Sequence, residues 1–116
     1  MGVEDSEGRV LGVVMFSNWE PWFGTIECSA AADDARWLLA REAIAKMYDY
    51  AFLACGCQKI WSRTPLRNER ALRLVKALGL KYEARLPRQF GDDDAVVSAR
   101  YVEEYYGRKI TTSRAA

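Results

Sequence analysis

The sequence predicts a mixed α/β fold, a central sheet flanked by two main helices, and three observations carry that prediction. Runs of strand length that are apolar or alternate in polarity occur at 10–17, 25–30, 59–64, 81–86 and 94–101. Between them lie two stretches with apolar residues at helical spacing: Trp37, Ala40, Ile44, Met47, Tyr48, Ala51 and Cys55 in one, Ala71, Leu74, Val75 and Leu78 in the other. Each stretch closes on a glycine, Gly56 and Gly79, which accepts the left-handed conformation at a helix end with little steric cost. Strands alternating with helices in this way imply one sheet with helices packed against it.

The elements follow in order. Met1 to Asp5 reads as the end of a strand that turns through Ser6 to Arg9. Val10 to Ser17 is nearly all apolar, which predicts a strand covered on both faces. Asn18 to Gly24 holds Pro21 and Gly24 and reads as a connection, with Trp19, Trp22 and Phe23 concentrated in it. Such aromatic side chains suit a subunit contact, a lid over a site, or packing back onto the core. Thr25 to Ala30 is the next strand, and Ala31 to Asp34 is a loop in which Asp33 or Asp34 can cap the long helix. Lys59 to Thr64 is a strand, and Asn68 is placed to cap the second helix. Lys81 to Leu86 follows as a strand, Pro87 to Asp94 as a turn-rich loop, Asp94 to Tyr101 as the last strand and Val102 to Tyr106 as a helical turn. Residues 1–109 are expected to form a single domain and 110–116 a frayed tail.

Composition narrows the function. With 17 basic and 16 acidic side chains the net charge is near zero, which argues against a dedicated nucleic-acid binder. Arg63, Arg67, Arg70, Arg73 and Lys76 form a local basic run, read as a solvated face or an anion contact. No apolar run is long enough to span a membrane and no signal peptide is visible, so a cytoplasmic location is expected. Cys28, Cys55 and Cys57 make no disulfide framework and are read as small core residues. The chain has no histidine, which removes the usual nucleophile triads and a closed zinc site of the common types. Any catalysis must use carboxylates, tyrosines, backbone groups or a bound cosubstrate.

The stretch Asn68-Glu-Arg-Ala71 followed by the Leu78-Gly79 helix end resembles the second half of the GNAT N-acetyltransferase fold. The resemblance covers roughly residues 9 to 101, in arrangement more than in motif identity. It implies a GNAT-like mixed sheet that lacks the first strand and first two helices of the full fold. The chain looks closest to small acetyltransferase-like proteins of bacteriophages and prophages. Those place a similar Arg36-Trp37-Leu38 at the start of the long helix and a similar Arg63-Thr64-x-x-Arg67-Asn68 after the next strand.

In that family acetyl-CoA lies between two splayed parallel strands, here Thr25–Ala30 and Lys59–Thr64. The resemblance therefore implies pantetheine contacts on Cys28, Ser29 and Ala30, and pyrophosphate contacts on the segment Asp33 to Leu38, with Ala35, Arg36, Trp37 and Leu38 as the binding residues. Asn68 falls at the family's asparagine near the pantetheine and the thiol exit. Glu27 is the candidate general base, since acetyl transfer needs an amine that has lost its proton. Tyr82 and Tyr101 are candidate acids, and backbone N–H groups of Cys28 to Ala30 can polarise the thioester oxygen. Two positions depart from the family pattern. Ala30-Ala-Ala-Asp-Asp-Ala35 stands where a Gln/Arg-x-x-Gly-x-Gly/Ala loop is usual, and Val75 stands where many members carry a tyrosine that reprotonates the CoA thiolate. The expected activity is acetyl transfer from acetyl-CoA to a primary amine of unknown identity, in a homodimer. The rival expectation is a catalytically silent relative acting as a virion or host-interaction component.

Overall fold

The computed structural model describes residues 2–4, 10–32 and 41–107 of the chain. In chain order these form β1 (Gly2–Glu4), β2 (Val10–Glu20), β3 (Thr25–Ala32), α1 (Arg41–Asp49), β4 (Lys59–Pro65), α2 (Glu69–Leu78), β5 (Lys81–Phe90), β6 (Asp93–Tyr101) and α3 (Val102–Tyr106). The six strands make one sheet in the order β1-β2-β3-β4-β6-β5. All pairs are antiparallel except β3–β4, the pair joined by a helical crossover.

Alternation along the strands sorts side chains to two faces. Val14 on β2, Ile26 and Cys28 on β3, and Ile60 on β4 are buried together with Met47, Tyr48, Ala51 and Phe52 from the first helical stretch and Val75 and Leu78 from α2. Both helical stretches therefore cover the same sheet face. The opposite face is more open: Met15 is 65% exposed and Val13 38%, against 2% for Val14 between them. The apolar run of β2 was expected to be covered on both faces, and only one is.

Three further expectations are corrected. The segment Asn18 to Glu20 belongs to β2 rather than to a connection. Its register shifts between Ser17 and Glu20, and Asn18 takes φ 49°, the mark of a bulge. The reversal is confined to Pro21–Gly24, where the N–H groups of Phe23 and Gly24 both donate to the Glu20 carbonyl (3.0 and 2.8 Å). The loop expected from Pro87 is strand as far as Phe90. Because β5 lies at the sheet edge it tolerates a proline, and the register jumps from Leu86↔Ala95 to Phe90↔Asp93 across a bulge that holds Pro87. Asp94 fastens that bulge, accepting from the Arg88 N–H at 3.0 Å and from Arg85 Nε at 2.7 Å. Finally, the long helix is not α-helical to its end. After Asp49 it widens into a π-helical segment, Tyr50–Ala54, before Gly56 (φ 67°) turns the chain into β4. The expected turn at 6–9, the caps Asp33 and Asp34, Trp37 and Ala40 on the helix face, and the tail 110–116 lie outside the described residues.

The second helix matches its expectation closely. Asn68 Oδ1 accepts from the Ala71 N–H at 3.1 Å, and Gly79 ends the helix at φ 104°. Asn68→Ala is expected to lower stability by about 1 kcal/mol, because a free N–H of the first turn loses its acceptor. Chemical denaturation measures this, and a change within error would show that the cap adds nothing.

Candidate active site

The parallel pair at the sheet centre is short. Thr25↔Lys59, Ile26↔Ile60 and Glu27↔Trp61 are in register, and the pairing then stops, although β3 continues to Ala32 and β4 to Pro65. The strands part beyond Glu27 and Trp61, and a cavity of about 170 Å³ opens between them. Cys28, Ser29 and Ala30 form one wall and Ser62, Arg63, Thr64 and Pro65 the other. Ala71, Val75, Leu78 and Leu80, from α2 and the residues after it, close it beneath. Residues of both alternation classes of each strand line the cavity.

Two groups stand at the point where the strands part, one on each face. On the open face Glu27 is 5% exposed and makes an ion pair with Arg63, Oε2 to Nε 3.0 Å and Oε1 to Nη2 3.3 Å. Asn18, at the β2 bulge, donates from Nδ2 to the same Oε1 at 2.5 Å. The Arg63 guanidinium also lies 5.5 Å from the centre of the Trp61 ring. Glu27 is thus no solvated strand residue but the centre of a built polar cluster. On the helix face Ser62 is 3% exposed, and its Oγ finds no hydrogen-bond partner among the described residues.

The remaining candidates divide. Cys28 lines the cavity but is no nucleophile: burial, then the neighbouring Glu27 carboxylate, pushes its thiol up to about 12, so it stays protonated. Val75 is buried at the cavity wall and brings no proton. Asn68 is exposed and spends its side-chain oxygen on the helix cap, although Pro65 and Ala71 beside it line the cavity. Tyr82 and Tyr101 are not brought to the cavity. They line a separate groove with Lys81 and Glu83, where the Tyr101 hydroxyl donates to Glu83. Of the basic run, Arg63 turns to Glu27, and Arg67 lies 3.3 Å from Asp92 and 3.9 Å from Asp93. Ala35, Arg36, Trp37 and Leu38 lie outside the described residues.

Sequence reading missed Asn18, the Glu27–Arg63 pairing and Ser62. The last had a signal. With Ile60 facing the core, alternation puts Ser62 and Thr64 on the same inward side, and two hydroxyls at core-facing positions of a central strand call for a partner. Among the described residues no group of His, Cys, Asp and Glu could hold a metal ion. No described helix is long and apolar enough to cross a membrane.

Comparison with known proteins adds family and fold. The family described as acetyltransferase (GNAT) domain matches residues 1–81. No curated protein matches the chain. Among solved structures, a spermidine N-acetyltransferase SpeG chimera from Vibrio cholerae and hSSAT superposes with a TM-score of 0.74 at 22% identity, covering 90% of this chain and 67% of that one. The dodecameric spermidine N-acetyltransferase from Vibrio cholerae gives a TM-score of 0.72 at 21% identity, covering 90% and 64%. The Vibrio cholerae spermidine/spermine N-acetyltransferase SpeG in complex with manganese ions gives 0.73 at 22% identity, covering 94% and 68%. The chain spans about two thirds of the length of these structures. At this identity the likeness carries the fold.

Proposed function

The chain belongs to the GNAT acetyltransferase domain family, and from that premise we propose that it binds acetyl-CoA between β3 and β4 and transfers the acetyl group to a primary amine of a protein or a small molecule. The single observation that carries this reading is the parting of the one parallel pair beyond Glu27 and Trp61, which leaves the lip of β3 from Cys28 onward without a strand partner on the β4 side. A pantetheine arm supplies amide groups to bond that lip much as a strand would. The family resemblance would put the diphosphate at Ala35, Arg36, Trp37 and Leu38, which lie outside the described residues. Asn68, between the lining residues Pro65 and Ala71, would contact the arm through its amide nitrogen while its oxygen caps α2.

In this proposal the amine approaches from the open face. Glu27 takes its proton directly or through a water, the nitrogen attacks the thioester carbon, and backbone N–H groups of Cys28 to Ala30 hold the carbonyl oxygen. Arg63 and Asn18 fix the Glu27 carboxylate at the parting point. The protein would act in the cytoplasm as a homodimer, whose second copy covers part of the open sheet face.

Isothermal titration calorimetry of the purified protein with acetyl-CoA and with free CoA, reaching millimolar ligand, tests this directly. The expected result is saturable binding at one site per chain. A flat titration with both ligands would overturn it.

One observation favours a second reading, a silent relative that docks a partner protein. Trp22 is 71% exposed, Phe23 60% and Trp19 50%, all in or beside the β2–β3 turn. That reading expects no CoA binding and a stable complex lost on Trp22→Ala.

A further inference from the structure

We infer that Ser62 is the group that holds the sulfur of the bound cosubstrate, taking the place of a side chain from α2; this rests on the proposed acetyl-CoA site. Ser62 is 3% exposed and lines the cavity, and its hydroxyl, buried just behind that wall, is unpartnered among the described residues. A buried hydroxyl without a partner is unfavourable in the free protein. A ligand that accepts from it removes that cost on binding.

Position selects the ligand atom. Ser62 is the first residue of β4 beyond the last paired position, Glu27↔Trp61, so it sits at the deepest point of the cleft. The charged nucleotide end of a CoA ester is too bulky and too strongly hydrated to enter there. Only the thin arm can reach the parting point, and that arm ends in the thioester. The wall facing Ser62 is apolar, with Val75 and Leu78 lining the same cavity and no proton on either side chain. Thr64 lies two residues further along β4 and the Cys28 thiol is a weak donor, so Ser62 is the hydroxyl nearest the parting point for a sulfur that is gaining charge.

The step balances without a further reactant. The amine nitrogen forms the new C–N bond, the C–S bond breaks, and its electron pair stays on sulfur. The amine proton leaves toward Glu27 on the other face. Ser62 donates a hydrogen bond to the departing thiolate and keeps its own proton, since a thiolate is a much weaker base than an alkoxide. CoA later takes its proton from water.

The test compares CoA with desulfo-CoA, in which hydrogen replaces the thiol group, by calorimetry on the natural protein and on Ser62→Ala, with thermal unfolding of both free proteins. The natural protein should prefer CoA by about fivefold, the size of one hydrogen bond. Ser62→Ala should bind the two ligands equally, and its free form should melt no lower than the natural protein. An unchanged preference in Ser62→Ala overturns the inference while leaving the acetyl-CoA site standing. So does a lowered melting temperature, which would mean that the hydroxyl serves the fold. Absence of binding by the natural protein overturns the site itself, and the role of Ser62 with it.

Discussion

Glu27→Gln is expected to lower kcat/KM for acetyl transfer about a hundredfold or more, with CoA affinity unchanged within about twofold. The amide matches the carboxylate in shape but cannot take a proton at neutral pH, and a positioned general base typically contributes 10²–10⁴-fold. The substitution should not collapse the site. A Gln oxygen still accepts from Arg63 or Asn18, which now meet Glu27 at 3.0, 3.3 and 2.5 Å. Arg63 is about one third exposed, so water can take over part of its lost partner, and the stability cost should be about 1–3 kcal/mol. Steady-state kinetics with saturating acetyl-CoA and calorimetry with CoA make the comparison. Turnover equal to that of the natural protein would remove Glu27 from the chemistry and leave it as a structural ion pair. Equal loss of CoA affinity and turnover would assign it to binding.

Gly79→Ala should be the most damaging small substitution in the fold, at about 3 kcal/mol. Two causes add. The glycine has φ 104°, where an L side chain is strained by about 1–3 kcal/mol. The added Cβ would also stand 2.4 Å from Arg100 Nη1 and 3.2 Å from Tyr48 Oη. An arginine tip usually moves aside cheaply, but here the guanidinium lies 5.0 Å from the Tyr48 ring centre and 5.1 Å from that of Tyr105, so moving it breaks two cation–π contacts. Tyr48 in turn donates to the Leu78 carbonyl at 2.5 Å, tying the first helix to the end of α2. Thermal unfolding should report a fall in Tm on the order of 10 °C. Adding Arg100→Ala to Gly79→Ala should cost less than the two singles together, because the clash partner is gone. Strict additivity would show that backbone strain alone acts.

Much of the fold was legible because period and punctuation agree locally. The apolar stripe on α2, its asparagine cap and its glycine stop all point to one helix, and it forms with those bounds. Where expectation failed, a distant contact overrode the local signal. Pro87 reads as a strand breaker, yet the edge position of β5 and the Asp94 clamp make it a bulge inside a strand. The apolar run of β2 reads as fully buried, but burial depends on what covers each face, and no local pattern encodes that. At the site, the family arrangement pointed to Cys28, Ser29 and Ala30 as pantetheine contacts; a cleft opens beside them, and the contact itself is part of the proposal. The Glu27–Arg63 pair, 36 positions apart in the chain, depends on strand register and so lay beyond local reading.

The broken ladder between β3 and β4 has a mechanical meaning. Among the described residues the sheet is two leaves, β1-β2-β3 and β4-β6-β5, whose strands are stitched by backbone bonds along a short seam from Gly24 to Glu27. A guest that bonds both lips lengthens the seam, so occupancy and the rigidity of the two leaves become one thermodynamic quantity. Resistance to unfolding then rises with the logarithm of guest concentration above its dissociation constant. On the proposed reading, the most briefly paired line at the sheet centre is also the line along which the cosubstrate binds.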